Sequence, residues 1–387
     1  MDTQGLEIIN IETFKVPPRW LFLKLTTRSG LVGWGEPVVE GKAATVEMAI
    51  KEMSSFLLGH PANRIGDFWQ LIYRGGFYRG GPVLMSALAG IDQALWDIKG
   101  KALGVPVYEL LGGAVRDKVK IYGWVHGHSL EELAKAGEER IKKGFKAVKM
   151  LVTDQLYWID SPSKVKEAAE RVKVVRKAIG DDYPIGVDFH GRVHKGTVKR
   201  MAKALEPYDP YFLEEPVLSE NYEVLSILQS YTSIPIATGE RLYSRWDVKR
   251  LLAEGLVDIL QPDLSHAGGI SEVKRIAGVA EAYDVAIAPH CPLGPISLAA
   301  ALQIDFSCIN ALIQETSLGI HYAEEVELTD YLEDPEVFRI EDGFVKLLDS
   351  PGLGINISEE KVRSAAKTGH QWQNPTWRNE DGSVAEW

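Results

Sequence analysis

The 387-residue chain carries a formal net charge of −11, and its 45% hydrophobic and 25% charged residues are typical of a folded globular protein. At roughly 150 residues per domain, this length predicts two or three domains. The acidic balance argues against a nucleic-acid partner, and no apolar run approaches the ~18 residues of a membrane-spanning helix. The chain starts without a signal-peptide pattern and has two cysteines, so we expect a cytoplasmic location.

The first 117 residues predict a separate α+β unit. Its three short β-prone runs lie at residues 8–14, 21–27 and 31–36. Three segments of helical character follow at residues 43–58, 64–73 and 83–103. Strands grouped before helices, rather than alternating with them, are typical of α+β architecture.

From residue 118 to residue 320, short apolar runs alternate with helix-period segments. The eight apolar runs are 118–124, 147–151, 185–188, 212–214, 236–238, 259–261, 286–288 and 311–314. Strands that alternate with helices in this number predict a closed parallel α/β barrel. An open doubly wound sheet is the alternative, but no Gly-x-Gly-x-x-Gly follows the first strand.

Three carboxylates follow three successive barrel strands, each one βα unit after the last: Asp188, Glu214 and Glu240. The carboxyl ends of barrel strands meet at one face, so these side chains are expected to converge. Like charges held together repel unless a cation lies between them, and an all-oxygen ligand set favours Mg²⁺. Any one of these acids could instead cap a helix or form an ion pair.

The same spacing continues along the chain. Asp263, His290 and Glu315 end the next three strand runs, and an Asp beside a His can orient the imidazole as a base. His190, two residues after Asp188, is expected on the same face, as an acid–base group or as another metal ligand. The histidines in weaker contexts are interpreted as loop or rim residues: His194, His266 and His321.

The chain resembles a known family along nearly its whole length. Its most specific matching segments are Asp188-Phe189-His190-Gly191-Arg192 and Ala288-Pro289-His290-Cys291-Pro292-Leu293-Gly294-Pro295. Further matching segments lie at 16–20, 33–37, 77–82, 91–97, 261–269 and 380–387. These segments resemble the D-galactonate dehydratase family of the enolase superfamily, in its mandelate racemase branch.

The resemblance implies a (β/α)₇β barrel of the TIM type with an α+β capping domain, formed by the N-terminal region and the C-terminal tail. On this basis we expect a capping domain at 1–117, a catalytic barrel at 118–320, and a segment at 321–387 that returns to the capping domain. The tail ends in a group of tryptophans, Trp372, Trp377 and Trp387, which are expected to pack rather than face water.

The resemblance also implies an activity, which is dehydration of an aldonate, foremost D-galactonate, to 2-dehydro-3-deoxy-D-galactonate. The implied metal is Mg²⁺, bound by the three carboxylates. His290, oriented by Asp263, would take the C2 proton to form a metal-stabilised ene-diolate. Glu315 would hydrogen-bond the substrate carboxylate, and His190 would protonate the departing C3 hydroxyl. The family further implies a homo-oligomer whose partner is a small sugar acid.

Substrate contacts are expected from Arg19, Tyr78, Arg79 and Lys149. Relatives that racemise carry Lys-x-Lys at the end of the second barrel strand, where this chain has Lys149-Met150-Leu151. Leu151 cannot move a proton, which argues against a racemase or epimerase of 2-hydroxy acids. The alternatives are a dehydratase of another aldonate such as D-gluconate, a racemase or epimerase of 2-hydroxy acids, and a sugar-acid binder without catalysis.

Overall fold

The computed structural model describes residues 5–320, 322 and 326–387. The N-terminal unit begins with an antiparallel sheet of order β1-β2-β3: β1 (Ile8–Val16), β2 (Trp20–Thr27) and β3 (Val32–Gly35). Four helices follow: α1 (Ala43–Met53), α2 (Ile65–Arg74), α3 (Pro82–Leu103) and α4 (Val107–Leu110). The predicted strands and the three longer helices are present, and the short α4 is an addition.

Helix α3 packs tightly on this sheet because glycines, which have no side chain, lie where the helix and the sheet meet. A Cβ atom on Gly35 would overlap the carbonyl oxygen of Gly90, and one on Gly33 would overlap that of Ala94. Pro82 lies in the first turn of α3, where its missing N–H costs nothing, and Gly104 ends the helix in a left-handed conformation. The close approach brings α3 beside the barrel loops.

The second unit alternates strands and helices as predicted. Its strands are β4 (Lys118–Val125), β5 (Val148–Leu151), β6 (Ile185–Asp188), β7 (Phe212–Glu214), β8 (Ile236–Thr238), β9 (Ile259–Leu260), β10 (Ala286–Ile287) and β11 (Gln314–Glu315). The helices between them are α5 (Leu130–Lys142), α6 (Pro162–Ile179), α7 (Lys195–Leu205), α8 (Val224–Gln229), α9 (Arg245–Ala253), α10 (Gly269–Ala282) and α11 (Pro295–Ser307).

The strands lie parallel in the order β10-β9-β8-β7-β6-β5-β4-β11. A parallel bridge between Ile287 and Ala311 links β10 to the segment that enters β11, so the row of strands curls round on itself. This arrangement confirms the predicted barrel and its α+β cap, and it excludes the open doubly wound sheet. All strand carboxyl ends therefore face one side of the barrel.

Helix α11 is buried along its entire length, unlike α6, whose apolar residues form a single stripe. A helix on the outside of a barrel normally exposes one face to water. The outward face of α11 is instead covered by the N-terminal unit and the C-terminal segment. For example, the backbone N–H of Tyr108 donates to the side-chain oxygen of Gln303. The side-chain amide of Gln303 donates in turn to the carbonyl oxygen of Leu353.

The C-terminal segment contacts both units. Its strand β12 (Phe344–Lys346) pairs antiparallel with β4, and its helix α12 (Glu359–Thr368) packs on β1. Lys24 binds Glu359 at 2.7 Å. The domain boundaries at 117 and 321 stay predictions, and His321 lies outside the described residues. Within the described parts of the chain, no helix is long and apolar enough to span a membrane.

Candidate active site

A cavity of about 670 Å³ opens at the carboxyl ends of the barrel strands. Barrel residues such as Asp188 and Glu240 line it, together with Arg19 from the N-terminal unit and Trp387 from the C-terminal segment. Three parts of the chain that are distant in sequence therefore enclose one space.

The three predicted metal ligands end neighbouring strands. Asp188 and Glu214 are paired in register as the last residues of β6 and β7, and Glu240 lies two residues beyond β8. Burial raises the pKa of all three carboxyls, that of Asp188 to about 6. Repulsion from neighbouring carboxylates adds to this effect in Asp188 and Glu214, while Lys149 opposes it.

Lys149 lies among these acids at the centre of the barrel. Its ammonium nitrogen is 2.5 Å from Glu214 Oε1, 2.9 Å from Glu315 Oε1 and 4.0 Å from Asp188 Oδ2. Burial disfavours the charged amine, but the carboxylates outweigh it and raise the pKa of Lys149 well above its ordinary value. Lys149 was predicted to bind substrate; its amine contacts carboxylates and does not line the cavity.

The acidic side chains match the donors that Mg²⁺ prefers, and their crowded charges would be relieved by a cation. In their present conformations, however, the side chains form no group of three or more His, Cys, Asp or Glu residues that could hold a metal ion, within the described part of the chain. Glu214 is instead bound by Lys149 and by Gln261, whose amide donates to Oε2 at 2.7 Å. The donor set therefore fits Mg²⁺ by chemistry and charge, with Glu214 bound to competing partners.

His290 and Asp263 are brought together as the sequence predicts. Nδ1 of His290 lies 2.8 Å from Oδ2 of Asp263, and the other ring nitrogen lies 3.4 Å from Oε2 of Glu240. Burial lowers the pKa of His290, but Glu240, Glu315 and Asp263 together raise it well above its ordinary value. Asp263 thus holds the proton on Nδ1 and leaves Nε2 to exchange protons.

Glu315 accepts hydrogen bonds on both carboxyl oxygens. Trp124 Nε1 donates to Oε1 at 2.8 Å beside Lys149, and the backbone N–H of Cys291 donates to Oε2 at 2.9 Å. Burial raises the pKa of Glu315, but Lys149, His290 and the backbone N–H of Cys291 outweigh burial and lower it. An ionised Glu315 cannot donate a hydrogen bond to a substrate carboxylate.

His190 lines the cavity because of a backbone conformation that the sequence did not predict. Simple strand alternation was expected to place it beside Asp188. Instead β6 ends at Asp188, and His190 takes a left-handed conformation (φ 54°), with its backbone N–H bound to Asp188 Oδ1 at 2.6 Å. Its ring packs against Trp387, with 5.2 Å between ring centroids. Burial, aided by Arg192 and Arg241, lowers its pKa well below the usual value.

The predicted substrate contacts divide into two groups. Arg19 lines the cavity, where its guanidinium lies 3.7 Å from the ring centroid of Tyr322. Tyr78 is 86% exposed and does not line the cavity, and Arg79 lies outside it, over the ring of Tyr73. Both belong to the segment between α2 and α3, which the sequence predicted to face the substrate.

His266 shows where sequence reasoning fell short. It was interpreted as a loop or rim residue, but it is buried and lines the cavity beside the catalytic candidates. Its Nε2 lies 3.5 Å from Glu40 Oε2 and 3.8 Å from Asp263 Oδ2, and these carboxylates outweigh burial and raise its pKa to about 9. The one sequence feature that could have predicted this placement of His266 is its position three residues after Asp263. No sequence feature pointed to Glu40.

Comparison with known proteins agrees with this architecture. Residues 11–112 match the model of the mandelate racemase/muconate lactonizing enzyme N-terminal domain, and residues 132–361 match the enolase C-terminal domain-like model. A D-galactonate dehydratase from Pectobacterium atrosepticum is 54% identical over 382 residues, covering 99% of this chain and all of that protein.

Two solved structures show the same fold. An enolase-type protein from Agrobacterium radiobacter, described as a candidate galactarate dehydratase with sodium and L-malate bound, has a TM-score of 0.89 and 32% identity, covering 98% of this chain and 99% of that one. A candidate dehydratase from Mesorhizobium loti has a TM-score of 0.88 and 30% identity, covering 93% and 98%.

The chain therefore belongs to the mandelate racemase/muconate lactonizing enzyme family of the enolase superfamily. Its 54% identity to a D-galactonate dehydratase, together with the dehydratase-type solved structures, makes the chain an enzyme of the hydro-lyase class.

Proposed function

We propose that this hydro-lyase dehydrates an aldonate, with D-galactonate as the leading substrate, to 2-dehydro-3-deoxy-D-galactonate and water. The observation that carries the proposal is the 2.8 Å hydrogen bond between Asp263 and His290, beside a cavity lined by Asp188 and Glu240. The 54% identity to a D-galactonate dehydratase supports the choice of substrate.

The first step is removal of the C2 proton by Nε2 of His290. Asp263 fixes the imidazole through Nδ1 and stabilises the positive charge that the ring gains. His290 must be neutral to act as a base, and the nearby charge of Glu240 is one cause of its raised pKa. Neutralising Glu240 would therefore increase the fraction of His290 that is ready to accept a proton.

Loss of the C2 proton places a second negative charge next to the substrate carboxylate. Mg²⁺ held by Asp188, Glu214 and Glu240 would stabilise that charge as it develops. Lys149 lies 2.9 Å from Glu315 and adds a positive charge to the same cluster of acids. We infer that Glu315 orients Lys149, while its own ionised carboxyl accepts hydrogen bonds.

The second step is departure of the C3 hydroxyl, which needs a proton because hydroxide is a poor leaving group. His190 would supply this proton, since its ring lines the same cavity as His290. Burial lowers its pKa, so the ring is mostly neutral in the free protein and must gain a proton before it acts as the acid. Trp387 packs against the ring and limits water around it. The enol product then gains a proton at C3 and becomes the 2-keto acid.

Racemisation at C2 needs a second base across the substrate. Leu151 lines the cavity at the end of β5, where racemising relatives carry a lysine, and its side chain holds no exchangeable proton. This observation favours dehydration. Assembly as a homo-oligomer and a cytoplasmic location stay predictions from the sequence.

The proposal is tested by a panel of aldonates, including D-galactonate and D-gluconate, supplied with Mg²⁺ and assayed for 2-keto-3-deoxy acid. We expect D-galactonate to give the highest kcat/KM, and the Asp263→Asn variant to be inactive. A higher kcat/KM for D-gluconate would show that D-gluconate, and not D-galactonate, is the preferred substrate. If the protein turned over none of these aldonates but bound one of them tightly, it would be a binding protein and not an enzyme.

A further inference from the structure

Glu36 is a fully buried acid of the N-terminal unit that does not line the cavity. It follows β3 and reaches across to the first turn of barrel helix α11. Its Oε1 accepts the backbone N–H of Gly294 at 2.7 Å, and its Oε2 accepts that of Ser297 at 3.0 Å. Glu36 thus satisfies two N–H groups that the start of a helix leaves unpaired.

The helix start that Glu36 holds is joined to the catalytic pair. The loop before it begins at His290. Ser297 Oγ accepts a hydrogen bond from Ser265 Oγ at 3.1 Å, and the backbone N–H of Ser265 donates to Asp263 Oδ1 at 2.6 Å. A continuous series of hydrogen bonds therefore runs from Glu36 through two serines to Asp263, whose other oxygen binds His290.

Gln93 of helix α3 strengthens the same connection. Its side-chain oxygen accepts the backbone N–H of Glu36 at 2.7 Å, and its amide nitrogen donates to the carbonyl oxygen of Leu264 at 3.0 Å. Gln93 is also fully buried and away from the cavity lining. Glu36 and Gln93 together hold the loop that carries Asp263 and the loop that follows His290.

The lack of space at Gly294 shows how closely the Glu36 carboxyl group approaches the start of helix α11. A Cβ atom there would lie 2.7 Å from Glu36 Oε1, which is closer than real Cβ contacts. Only glycine lets the carboxyl group reach the helix start at this distance.

We propose that Glu36 and Gln93 are positioning residues that align the Asp263–His290 pair, so that the N-terminal unit sets the geometry of the base as well as covering the site. The inference rests on the proposed function in so far as His290 is the base. Proton transfer is sensitive to small displacements, and an error of 1 Å can cost about a hundredfold in rate.

The test is the Glu36→Gln variant, which keeps the size of the side chain but turns an amide NH₂ towards a backbone N–H. We expect kcat to fall by about 10- to 100-fold while KM changes by less than about threefold, because no substrate contact is removed. Gln93→Leu should behave similarly. The double variant should be less impaired than the product of the single effects, since both residues act through the same loops.

The matched control is Gln303→Met. Gln303 is buried in the same helix α11 and makes two hydrogen bonds to backbone groups outside it, but none of its bonds leads to Asp263. We expect it to lower the melting temperature about as much as Glu36→Gln and to leave kcat unchanged. Equal losses of kcat in both variants, or an unchanged kcat in Glu36→Gln, would overturn the proposal.

A second measurement does not depend on turnover. Hydrogen–deuterium exchange of residues 290–297 should accelerate about tenfold or more in Glu36→Gln and stay unchanged in Gln303→Met. Unchanged exchange in Glu36→Gln would also overturn the proposal. If the wild-type protein dehydrates no aldonate, the proposed function fails, while this exchange result still decides whether Glu36 holds the loop. Should Glu36→Gln not fold, Gln93→Leu supplies both measurements.

Discussion

Lys149 and Glu214 form a buried ion pair at the centre of the barrel, with 2.5 Å between Nζ and Oε1. The same ammonium group binds Glu315, so one cation holds two carboxylates that would otherwise repel each other. This pairing links the stability of the barrel to the charge state of the site.

We predict that Lys149→Met is inactive and destabilised by roughly 3–5 kcal/mol, the usual cost of leaving buried charges unpaired. Urea unfolding measures the loss of stability. Added Mg²⁺ should restore more stability to this variant than to the wild-type protein, because the unpaired acids attract a cation. An equal effect of Mg²⁺ on both proteins would contradict the assignment of a metal to these carboxylates.

Removal of divalent metal should abolish dehydration, since the three strand-end carboxylates are proposed to hold Mg²⁺. Dialysis against a chelator followed by an aldonate assay measures this, and adding back Mg²⁺ should restore turnover. The variant Glu240→Gln should need a higher Mg²⁺ concentration for half-maximal rate. Full activity in excess chelator would show that the reaction does not use the metal.

We predict that His290→Asn stops exchange of the C2 hydrogen with solvent deuterium, because Asn cannot accept a proton. Dehydration should fall by at least about 10³-fold, within the range for loss of a general base. His60→Asn, at an exposed histidine of the N-terminal unit, is the matched control and should keep full activity. Exchange that persists in His290→Asn would place the base elsewhere.

His190→Asn should slow dehydration by about 10²–10⁴-fold, the usual contribution of a general acid. Exchange at C2 should continue, because His290 still removes and returns that proton. Nuclear magnetic resonance in deuterated water follows both reactions in one sample. Equal loss of exchange and dehydration would show that the two histidines do not act in separate steps.

Asp305 of helix α11 predicts a pH dependence of stability. Neither of its buried oxygens has a hydrogen-bond partner among the residues that the structure describes, and burial raises its pKa well above the usual range, with Arg116 opposing. The carboxyl is then protonated in the folded chain but ionised in the unfolded chain above about pH 4. Its contribution to stability therefore falls as pH rises, by up to about 1.4 kcal/mol per unit.

Asp305→Asn removes this titration. We expect the variant to gain stability relative to the wild-type protein as pH rises from 5 upwards, in urea unfolding at each pH, because only the wild-type carboxyl ionises on unfolding. A constant difference across that range would show that Asp305 is ionised in the folded protein.

Local patterns in the sequence were enough to predict the barrel and a separate N-terminal α+β unit, while the resemblance implied that this unit caps the barrel. Strand and helix periodicities depend on neighbouring residues, and polar groups at the ends of successive strands must share one face once the barrel closes. For this reason Asp188, Glu240, Asp263 and His290 could be named as one site before any coordinates were known. Their individual roles stay predictions.

Contacts between distant segments were decided only by the tertiary structure. The burial of His266 against Glu40, the exposure of Tyr78, and the reach of Glu36 to Ser297 each depend on how the N-terminal unit lies on the barrel. Periodicity cannot report such contacts, because the partners are far apart in sequence. Packing between the units also sets the charge state of buried acids, since pKa values follow the surroundings of a side chain rather than its position in the chain.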